Sequence, residues 1–155
     1  MENAPKKSKR ILAVSSGGGH WVQLRRLSSA FDGHDVTYAT VSKNYESDVR
    51  GARFFAIRDG TRWDKWALIV MMLQILWILI RIRPHVVVST GAAPGYFALT
   101  LGKLFRARTI WLDSMANVEE LSMSGKKAGR FADLWLTQWP HLARPEGPQF
   151  RGEVL

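Results

Sequence analysis

Short apolar runs rich in β-branched residues alternate with longer stretches of helical periodicity along this chain. The runs suited to strands lie at residues 11–14, 36–41, 53–57, 85–89, 109–112 and 134–137. Helical patterns follow four of them, at residues 21–30, 64–82, 95–105 and 116–123. This alternation is typical of a parallel sheet with helices on both faces. The sequence therefore predicts a Rossmann-like α/β fold, in which ligands bind at the carboxyl ends of the strands.

The longest apolar pattern, at residues 63–83, leaves the predicted helix without a polar face. Gln74 is the one polar residue between Trp66 and Arg81. A helix of this kind is buried on both sides, lies in a membrane surface or spans a membrane. At a rise of ~1.5 Å per residue, residues 66–82 extend about 25 Å, less than the ~30 Å hydrocarbon thickness. We therefore expect shallow association with a membrane surface, anchored by Trp63, Trp66, Trp77, Arg81 and Arg83.

The first predicted strand runs into a glycine-rich turn, Ser15-Ser16-Gly17-Gly18-Gly19-His20, at the start of a predicted helix. Glycines let the backbone approach a ligand, and the first helical N–H groups favour an anion, so the turn suits a phosphate. His20 adds a side chain that can hold or move a proton near neutral pH. A purely steric role for the glycines and a helix-capping role for His20 are the alternatives.

Two known phosphate-binding motifs are excluded by the residues around this turn. The dinucleotide fingerprint requires Gly or Ala where Val22 stands. A Walker A loop requires Gly-Lys-Ser/Thr where the chain has Gly19-His20-Trp21. The turn is therefore a phosphate-loop candidate of another type.

Two further loops with polar or small residues follow later strands. One is Ser89-Thr90-Gly91-Ala92-Ala93-Pro94-Gly95, and the other carries Asp113, Ser114 and Asn117. Both follow predicted strands, so they are expected to meet the first turn at one edge of the sheet. Asp113 is either a second candidate base or the N-cap of the next helix. No group of His and carboxylate residues has metal-ligand spacing, so neither a metal nor another cofactor is predicted.

Length and composition indicate one globular domain. The 155 residues suffice for a sheet covered on both faces, and 46% hydrophobic residues argue against general disorder. We predict a basic tail over residues 1–10 and a single domain over residues 11–155. The chain has no cysteine, which excludes disulfides and thiolate chemistry. The apolar run at residues 11–14 is too short for a signal peptide.

The chain carries a large excess of positive charge. Its 22 Lys and Arg residues against 13 Asp and Glu give a net charge of +9. Such an excess favours an anionic partner, either nucleic acid or an acidic membrane surface, although a solvated basic face is the simpler explanation. The basic residues are spread in small groups and form no known nucleic-acid module, so we expect no nucleic-acid partner.

Several motifs together resemble one protein family. They are the Ser-Gly-Gly-Gly-His turn at residues 16–20, the Ser-Thr-Gly-Ala-Ala-Pro-Gly loop at residues 89–95, Leu-Ser-Met-Ser-Gly-Lys at residues 121–126 and Gln-Trp-Pro at residues 138–140. The chain resembles the membrane-associated, acceptor-binding subunits of two-chain UDP-sugar glycosyltransferases. These comprise the fourteenth asparagine-linked-glycosylation protein of eukaryotes, bacterial exopolysaccharide relatives of the PssD type and, more distantly, MurG. The likeness covers nearly all of the chain after residue 9.

The resemblance implies the N-terminal half of a GT-B glycosyltransferase. Such a half would bind a polyprenyl-diphosphate-linked acceptor at the cytoplasmic face of a membrane. A separate donor-binding subunit would supply the UDP-sugar, of the UDP-GlcNAc or UDP-glucuronate type. The implied catalytic base is His20 or Asp113. The candidate diphosphate-binding residues of the loops are Ser16, Gly17, Gly18, Gly19, Thr90, Gly91, Gly95 and Asn117.

The chain departs from the eukaryotic pattern at two places. A short basic tail stands where the eukaryotic subunit has a transmembrane anchor, so attachment is expected to depend on residues 63–83 and on positive charge. Trp21 replaces a small polar residue after the loop histidine, which fits the exopolysaccharide branch. Three other functions stay open: a non-catalytic membrane scaffold for a complete glycosyltransferase, a basic nucleic-acid-binding α/β protein and a free-standing nucleotide-sugar binder.

Overall fold

The computed structural model describes residues 7–154 and contains one sheet of seven parallel strands. The strands are β1 (Arg10–Ser15), β2 (Asp35–Thr40), β3 (Arg53–Ala56), β4 (Val86–Gly91), β5 (Arg108–Leu112), β6 (Leu134–Thr137) and β7 (Gln149–Phe150). Their order across the sheet is β3-β2-β1-β4-β5-β6-β7, and every neighbouring pair is parallel. Residues 1–6 of the predicted basic tail lie outside the described residues.

Helices cover both faces of the sheet. They are α1 (Gly19–Arg26), α2 (Lys65–Ile82), α3 (Ala92–Leu104) and α4 (Met123–Ala128). On β1, Leu12 and Val14 pack with α2 and α3, whereas Ile11 and Ala13 pack on the opposite face with α1. This alternation follows from the two-residue period of a strand buried on both sides. The predicted Rossmann-like α/β fold is confirmed.

One predicted helix is wrong and two others have different bounds. Residues 116–122 form turns and bends, and α4 begins only at Met123. The reason is the position of Ser122: Asp113 holds this residue by two hydrogen bonds, and its hydroxyl accepts from the Gly125 N–H at 2.8 Å, which fixes the start of the helix there. The first helix ends at Arg26, with a 3₁₀ turn at Ser28–Phe31 in place of its predicted last turn. The third begins three residues earlier than predicted, at Ala92.

Helix α2 has one face in the core and one apolar face in solvent. Asp64 caps its N-terminus by accepting from the Ala67 N–H at 2.9 Å, and Arg83 ends it in the left-handed region at φ 47°. The exposed face, here called the α2 stripe, consists of Trp66, Ile69, Leu73, Trp77 and Ile80. The first of these is 68% exposed. An apolar stripe of this size on a soluble surface marks a site for a partner or a membrane.

The length and composition of α2 alone would allow it to cross a membrane, but 33% of it is buried within the protein. The predicted anchor residues lie at its ends and along the stripe. Trp63 is 81% exposed, and Arg81 and Arg83 are also exposed.

The sheet order places the candidate loops at its centre. Strand β1 pairs with β2 on one side and with β4 on the other, so the connections leave in opposite directions from the β1–β4 boundary. In open parallel sheets, ligands bind in the crevice at such a point. The loops that follow β1 and β4 open onto this crevice, and the loop after β5 lies beside them.

Candidate functional site

The glycine turn after β1 is held by Tyr45, from the 3₁₀ helix Lys43–Val49, which stacks on Trp21 of α1. The Gly18 N–H donates to the Tyr45 hydroxyl at 3.0 Å. The ring of Tyr45 stacks on Trp21 with a centroid distance of 5.1 Å, and Trp21 Nε1 donates to Asp48 at 2.9 Å. Trp21, the residue that departs from the eukaryotic pattern, therefore positions the turn from the core side.

The start of α1 is open to an anion. Gly18 occupies the N-cap position at φ 64°. Because glycine has no side chain, no capping group covers the first N–H groups of α1, and the first turn of the helix contains no acidic residue. Gly18 and Gly19 are exposed, and an added Cβ at either position would meet nothing within 4 Å. Free N–H groups at the positive end of a helix favour a phosphate at this place.

His20 and Thr90 join the first loop to the second by a reciprocal pair of hydrogen bonds. His20 Nδ1 lies 2.9 Å from the Thr90 carbonyl oxygen, and the Thr90 hydroxyl donates to the His20 carbonyl oxygen at 2.7 Å. A carbonyl only accepts, so this contact selects the tautomer that carries its proton on Nδ1. The half-buried imidazole then keeps a lone pair on Nε2, which is the state that a general base requires.

Gly91 packs against the imidazole and leaves no room for a side chain. Its φ is +141°, and an added Cβ would lie 2.4 Å from His20 Nδ1. We expect Gly91→Ala to lower the free energy of unfolding by about 1–3 kcal/mol and to displace the His20 ring from Thr90. Chemical denaturation and the NMR shifts of the His20 ring would measure the two effects.

Gly33→Ala is the matched control for this substitution. Gly33 also has a positive φ, +80°, but an added Cβ there meets nothing within 4 Å. It therefore reports the backbone cost alone. Equal losses of stability in the two variants, with an unmoved His20 ring, would contradict the packing role of Gly91.

The carboxylate of Asp113, after β5, is buried and fully engaged. The residue is only 2% exposed. Its Oδ1 accepts from Trp111 Nε1 at 3.2 Å and from the Ser122 hydroxyl at 2.5 Å, and its Oδ2 accepts from the Ser122 N–H at 2.8 Å. Asp113 thus anchors the residue that caps α4. It does not itself occupy the N-cap position, which was the alternative that the sequence left open.

Two buried glutamines hold the third loop against the first helix. Gln23 Nε2 and Gln138 Nε2 both donate to the Asp113 carbonyl oxygen, at 3.0 and 3.1 Å. Gln23 Oε1 also accepts from the Met115 N–H at 3.3 Å. Neither glutamine was among the site residues predicted from the sequence. A signal was present for both, since Gln23 interrupts the apolar face of α1 and Gln138 stands in the Gln-Trp-Pro motif.

The remaining candidate residues lie in or beside the three loops and differ in their contacts. Gly95 is a packing residue, because an added Cβ would lie 1.8 Å from Ser89 Oγ, and Gly17 lies against Tyr45. Ser16 is half-buried in the first turn. Asn117 lies farther along the third loop, where its N–H donates to the Ser114 carbonyl at 3.1 Å. The structure thus joins His20, Thr90 and Gly91 in one cluster, and no hydrogen bond within residues 7–154 links Asn117 to that cluster.

Within the described part of the chain, no group of three or more His, Asp and Glu side chains could hold a metal ion.

Comparison with known sequences identifies one family. The profile of the family "Oligosaccharide biosynthesis protein Alg14 like" matches residues 56–152. "UDP-N-acetylglucosamine transferase subunit alg14" of Schizosaccharomyces pombe is 29% identical over 91% of this chain and 83% of its own length. The Homo sapiens subunit of the same name is 26% identical, over 92% and 81%. The Eremothecium gossypii subunit is 40% identical, but over only 39% of this chain and 30% of its own length.

Solved structures show the same fold in larger proteins. Acinetobacter baumannii MurG aligns with a TM-score of 0.77 at 10% identity, over 92% of this chain and 45% of MurG. UDP-N-acetylglucosamine 2-epimerase from Rickettsia bellii aligns with a TM-score of 0.66 at 13% identity, over 86% and 40%. The chain thus spans less than half of either protein. MurG and the epimerase share this fold, and at 10–13% identity the likeness shows the fold alone and does not select a reaction. The family model, in contrast, matches more than half of the chain: this chain belongs to the Alg14-like family of oligosaccharide biosynthesis proteins.

Proposed function

We propose that this protein is one subunit of a UDP-sugar glycosyltransferase that acts on a polyprenyl-diphosphate-linked acceptor in oligosaccharide or exopolysaccharide biosynthesis. The observation that carries the proposal is the contact of His20 Nδ1 with the Thr90 carbonyl, at the switch point of the sheet and beside an uncapped helix start. Membership of a family whose curated members are named UDP-N-acetylglucosamine transferase subunits supports it.

The reaction we propose is attack of an acceptor hydroxyl on the anomeric carbon of the UDP-sugar. The new bond forms between the hydroxyl oxygen and that carbon, the bond to the UDP oxygen breaks, and UDP leaves with the electron pair. His20 Nε2 takes the hydroxyl proton, because the contact with Thr90 keeps the other ring nitrogen protonated. Asp113 is the weaker candidate for this role, because three donors already occupy its buried carboxylate.

The diphosphates of acceptor and donor require positive potential, which helix starts and basic side chains provide. The turn at Ser16, Gly17, Gly18 and Gly19 leads into α1, and Thr90 and Gly91 at the end of β4 lead into α3, whose first turn contains Gly95. We assign the acceptor diphosphate to this pair of loops. No metal or other cofactor enters the proposed reaction, and the UDP-sugar is its donor substrate.

A second polypeptide completes the proposed enzyme. The relatives are named as subunits, which implies a partner chain. We assign the donor-binding half of the active site to a partner subunit that docks over the carboxyl edge of the sheet. Nucleic acid has no part in the proposal.

The α2 stripe supports attachment to a membrane surface. Its five apolar side chains lie on one face of the helix, flanked by Arg81 and Arg83 at the C-terminal end and by Arg62 and Lys65 near the N-terminal end. Exposed tryptophans with basic neighbours are the residues that interfacial helices use as anchors. With a net charge of +9, the protein would favour the acidic cytoplasmic leaflet. The acceptor would then be bound where its lipid carrier lies.

Transfer of radiolabel from UDP-sugars to a membrane lipid extract tests the proposed function. The assay uses this chain alone, the product of the neighbouring gene alone, and the two together, with UDP-GlcNAc and UDP-glucuronate as donors. We expect label in the lipid fraction only with both proteins. Full activity of the neighbour alone would indicate a membrane scaffold instead, and tight UDP-sugar binding by this chain alone would indicate a free-standing nucleotide-sugar binder.

A further inference from the structure

A second basic site lies beside the second loop, on the side of the sheet that α3 and α4 cover. A surface pocket of about 540 Å³ lies between α3, α4 and the 3₁₀ turn Gly129–Phe131, and it is lined by Tyr96, Lys126, Lys127, Arg130 and Phe131. This volume falls within the ~300–1,000 Å³ typical of small-ligand sites. None of its residues was assigned to the proposed active site.

The pocket holds more positive charge than its neighbours neutralise. Lys126 pairs with Glu120 at 2.7 Å, but both side chains are largely exposed, so the pair contributes little. Within residues 7–154, Lys127 and Arg130 make no ion pair and no side-chain hydrogen bond. Two free cations therefore face one cavity.

Side chains of β5 and β6 hold the wall of the pocket in place on its sheet side. The buried Thr109 hydroxyl donates to the Phe131 carbonyl at 2.5 Å, which holds the short 3₁₀ turn Gly129–Phe131 against β5. Gly129 lies so close to the Trp135 ring that an added Cβ would be 2.5 Å away. The Phe131 ring in turn meets Tyr96 edge to face at 6.3 Å. These contacts preorganise Arg130 and the rings of Tyr96 and Phe131 for ligand binding.

The pocket lies on the same face of the protein as the α2 stripe. Helix α3 lies between α2 and α4, and all three pack on one side of the sheet. Phe97 and Leu101, both half-buried, and the exposed Leu104 continue the apolar surface from α2 across α3. A bilayer in contact with the stripe would therefore bring its layer of phosphate groups to the flanking cations.

We propose that this pocket, here called the α3–α4 pocket, binds the phosphate of an anionic phospholipid headgroup. Arg130 offers a planar pair of donors to the phosphate oxygens, Lys127 adds a point charge, and the Tyr96 hydroxyl provides a neutral donor. The inference rests on the proposed attachment through the α2 stripe, but it adds a requirement for lipid phosphate that an apolar stripe alone does not impose.

Co-flotation of the full chain with vesicles tests the site. The vesicles are phosphatidylcholine alone, phosphatidylcholine with phosphatidylglycerol, and phosphatidylcholine with cholesteryl hemisuccinate at matched surface charge. We expect the double substitution Lys127→Gln, Arg130→Gln to weaken binding to the phosphatidylglycerol vesicles by about tenfold or more. Binding to the carboxylate vesicles should fall much less, and binding to phosphatidylcholine alone should not change.

Two controls separate this site from general charge and from the α2 stripe. Lys43→Gln with Arg50→Gln removes the same charge from the opposite face, where their 3₁₀ segment packs with α1, and should leave flotation unchanged. Trp66→Ser with Trp77→Ser should abolish binding to all three vesicles, and its failure to do so would contradict the membrane attachment itself. Equal losses from both charge pairs, or equal losses on phosphate and carboxylate vesicles, would overturn the phosphate site.

Inorganic phosphate in solution distinguishes a lipid headgroup from a soluble anion. We expect it to compete with phosphatidylglycerol vesicles only weakly, because it lacks the adjoining membrane contact. Tight binding of inorganic phosphate through Lys127 and Arg130, without any preference among the vesicles, would reassign the pocket to a soluble phosphate.

Discussion

Replacement of His20 by alanine is expected to lower the turnover number of the two-subunit enzyme by about 10²–10⁴-fold, the usual contribution of a general base. The imidazole is held by Thr90 at 2.9 Å in the tautomer that leaves Nε2 free. His20→Gln should lose as much activity, because an amide can still donate to the Thr90 carbonyl but cannot take a proton at neutral pH. Sugar transfer to lipid-linked acceptor, with the partner subunit at saturation, measures the loss.

A matched histidine separates chemistry from folding. His34 is half-buried and accepts from the Lys9 N–H at the amino end of the sheet, away from the loops. We expect His34→Gln to keep wild-type turnover, and His20→Ala to keep its circular dichroism spectrum and its affinity for the partner. A His20→Ala protein with full turnover would remove this residue from the mechanism and favour the scaffold function.

The sequence was sufficient to predict most of the fold, because the main strands are buried on both faces. The central strands β1 and β4 fit this description best, and six of the seven strands coincide with a predicted run, although β3 at the edge contains no buried residue. Strand β7 has no such pattern: Gln149 and Phe150 are exposed and acquire strand geometry only by pairing with β6. The position of the three loops followed from the parallel order, because the carboxyl ends of parallel strands share one edge.

The errors arose where tertiary contacts decide local structure. Helix α4 begins at Met123 because Asp113 holds Ser122 in the capping position, and Asp113 lies nine residues away in the sequence. The hydrophobic pattern of residues 116–123 does not reveal the hydrogen bonds between Asp113 and Ser122. The apolar sequence of α2 likewise predicted a helix, but only its packing on the sheet determines which of its faces remains exposed.

The sequence indicated which loops lie at the candidate site, but not which contacts each of their residues makes. Small and polar residues after β1, β4 and β5 indicated the three loops. Their roles depend on distances that the sequence does not contain, such as the 1.8 Å between an added Gly95 Cβ and Ser89 Oγ, which makes Gly95 a packing residue. The same holds for Gln23 and Gln138, whose amides meet on one backbone carbonyl.

Replacement of Asp113 by alanine is expected to lower the free energy of unfolding by about 3 kcal/mol, because it leaves several buried donors without an acceptor. Trp111 Nε1 and the N–H and hydroxyl of Ser122 would all lose their acceptor. The fit is tight as well, since an added Cβ at Gly125 would lie 2.6 Å from Asp113 Oδ1. Equilibrium denaturation measures the loss of stability.

Asp113→Asn distinguishes a positioning residue from a base. The amide keeps the shape of the carboxylate but presents a donor group to other donors, so we expect a smaller loss of stability, about 1–2 kcal/mol. At a temperature where the variant is folded, turnover should stay within about tenfold of wild type, since the loss of a base would cost 10²–10⁴-fold. A folded Asp113→Asn protein with that larger loss would make Asp113 the base.

The partner of Asp113 gives an independent measure of the same role. Ser122→Ala removes the hydroxyl that both donates to Asp113 and caps α4. If the two residues act as one structural unit, the stability losses of Asp113→Ala and Ser122→Ala are non-additive, with a coupling of about 1 kcal/mol or more in a double-mutant cycle. Additive losses would mean that Asp113 does not act through the cap. The third loop would then depend on the glutamines alone.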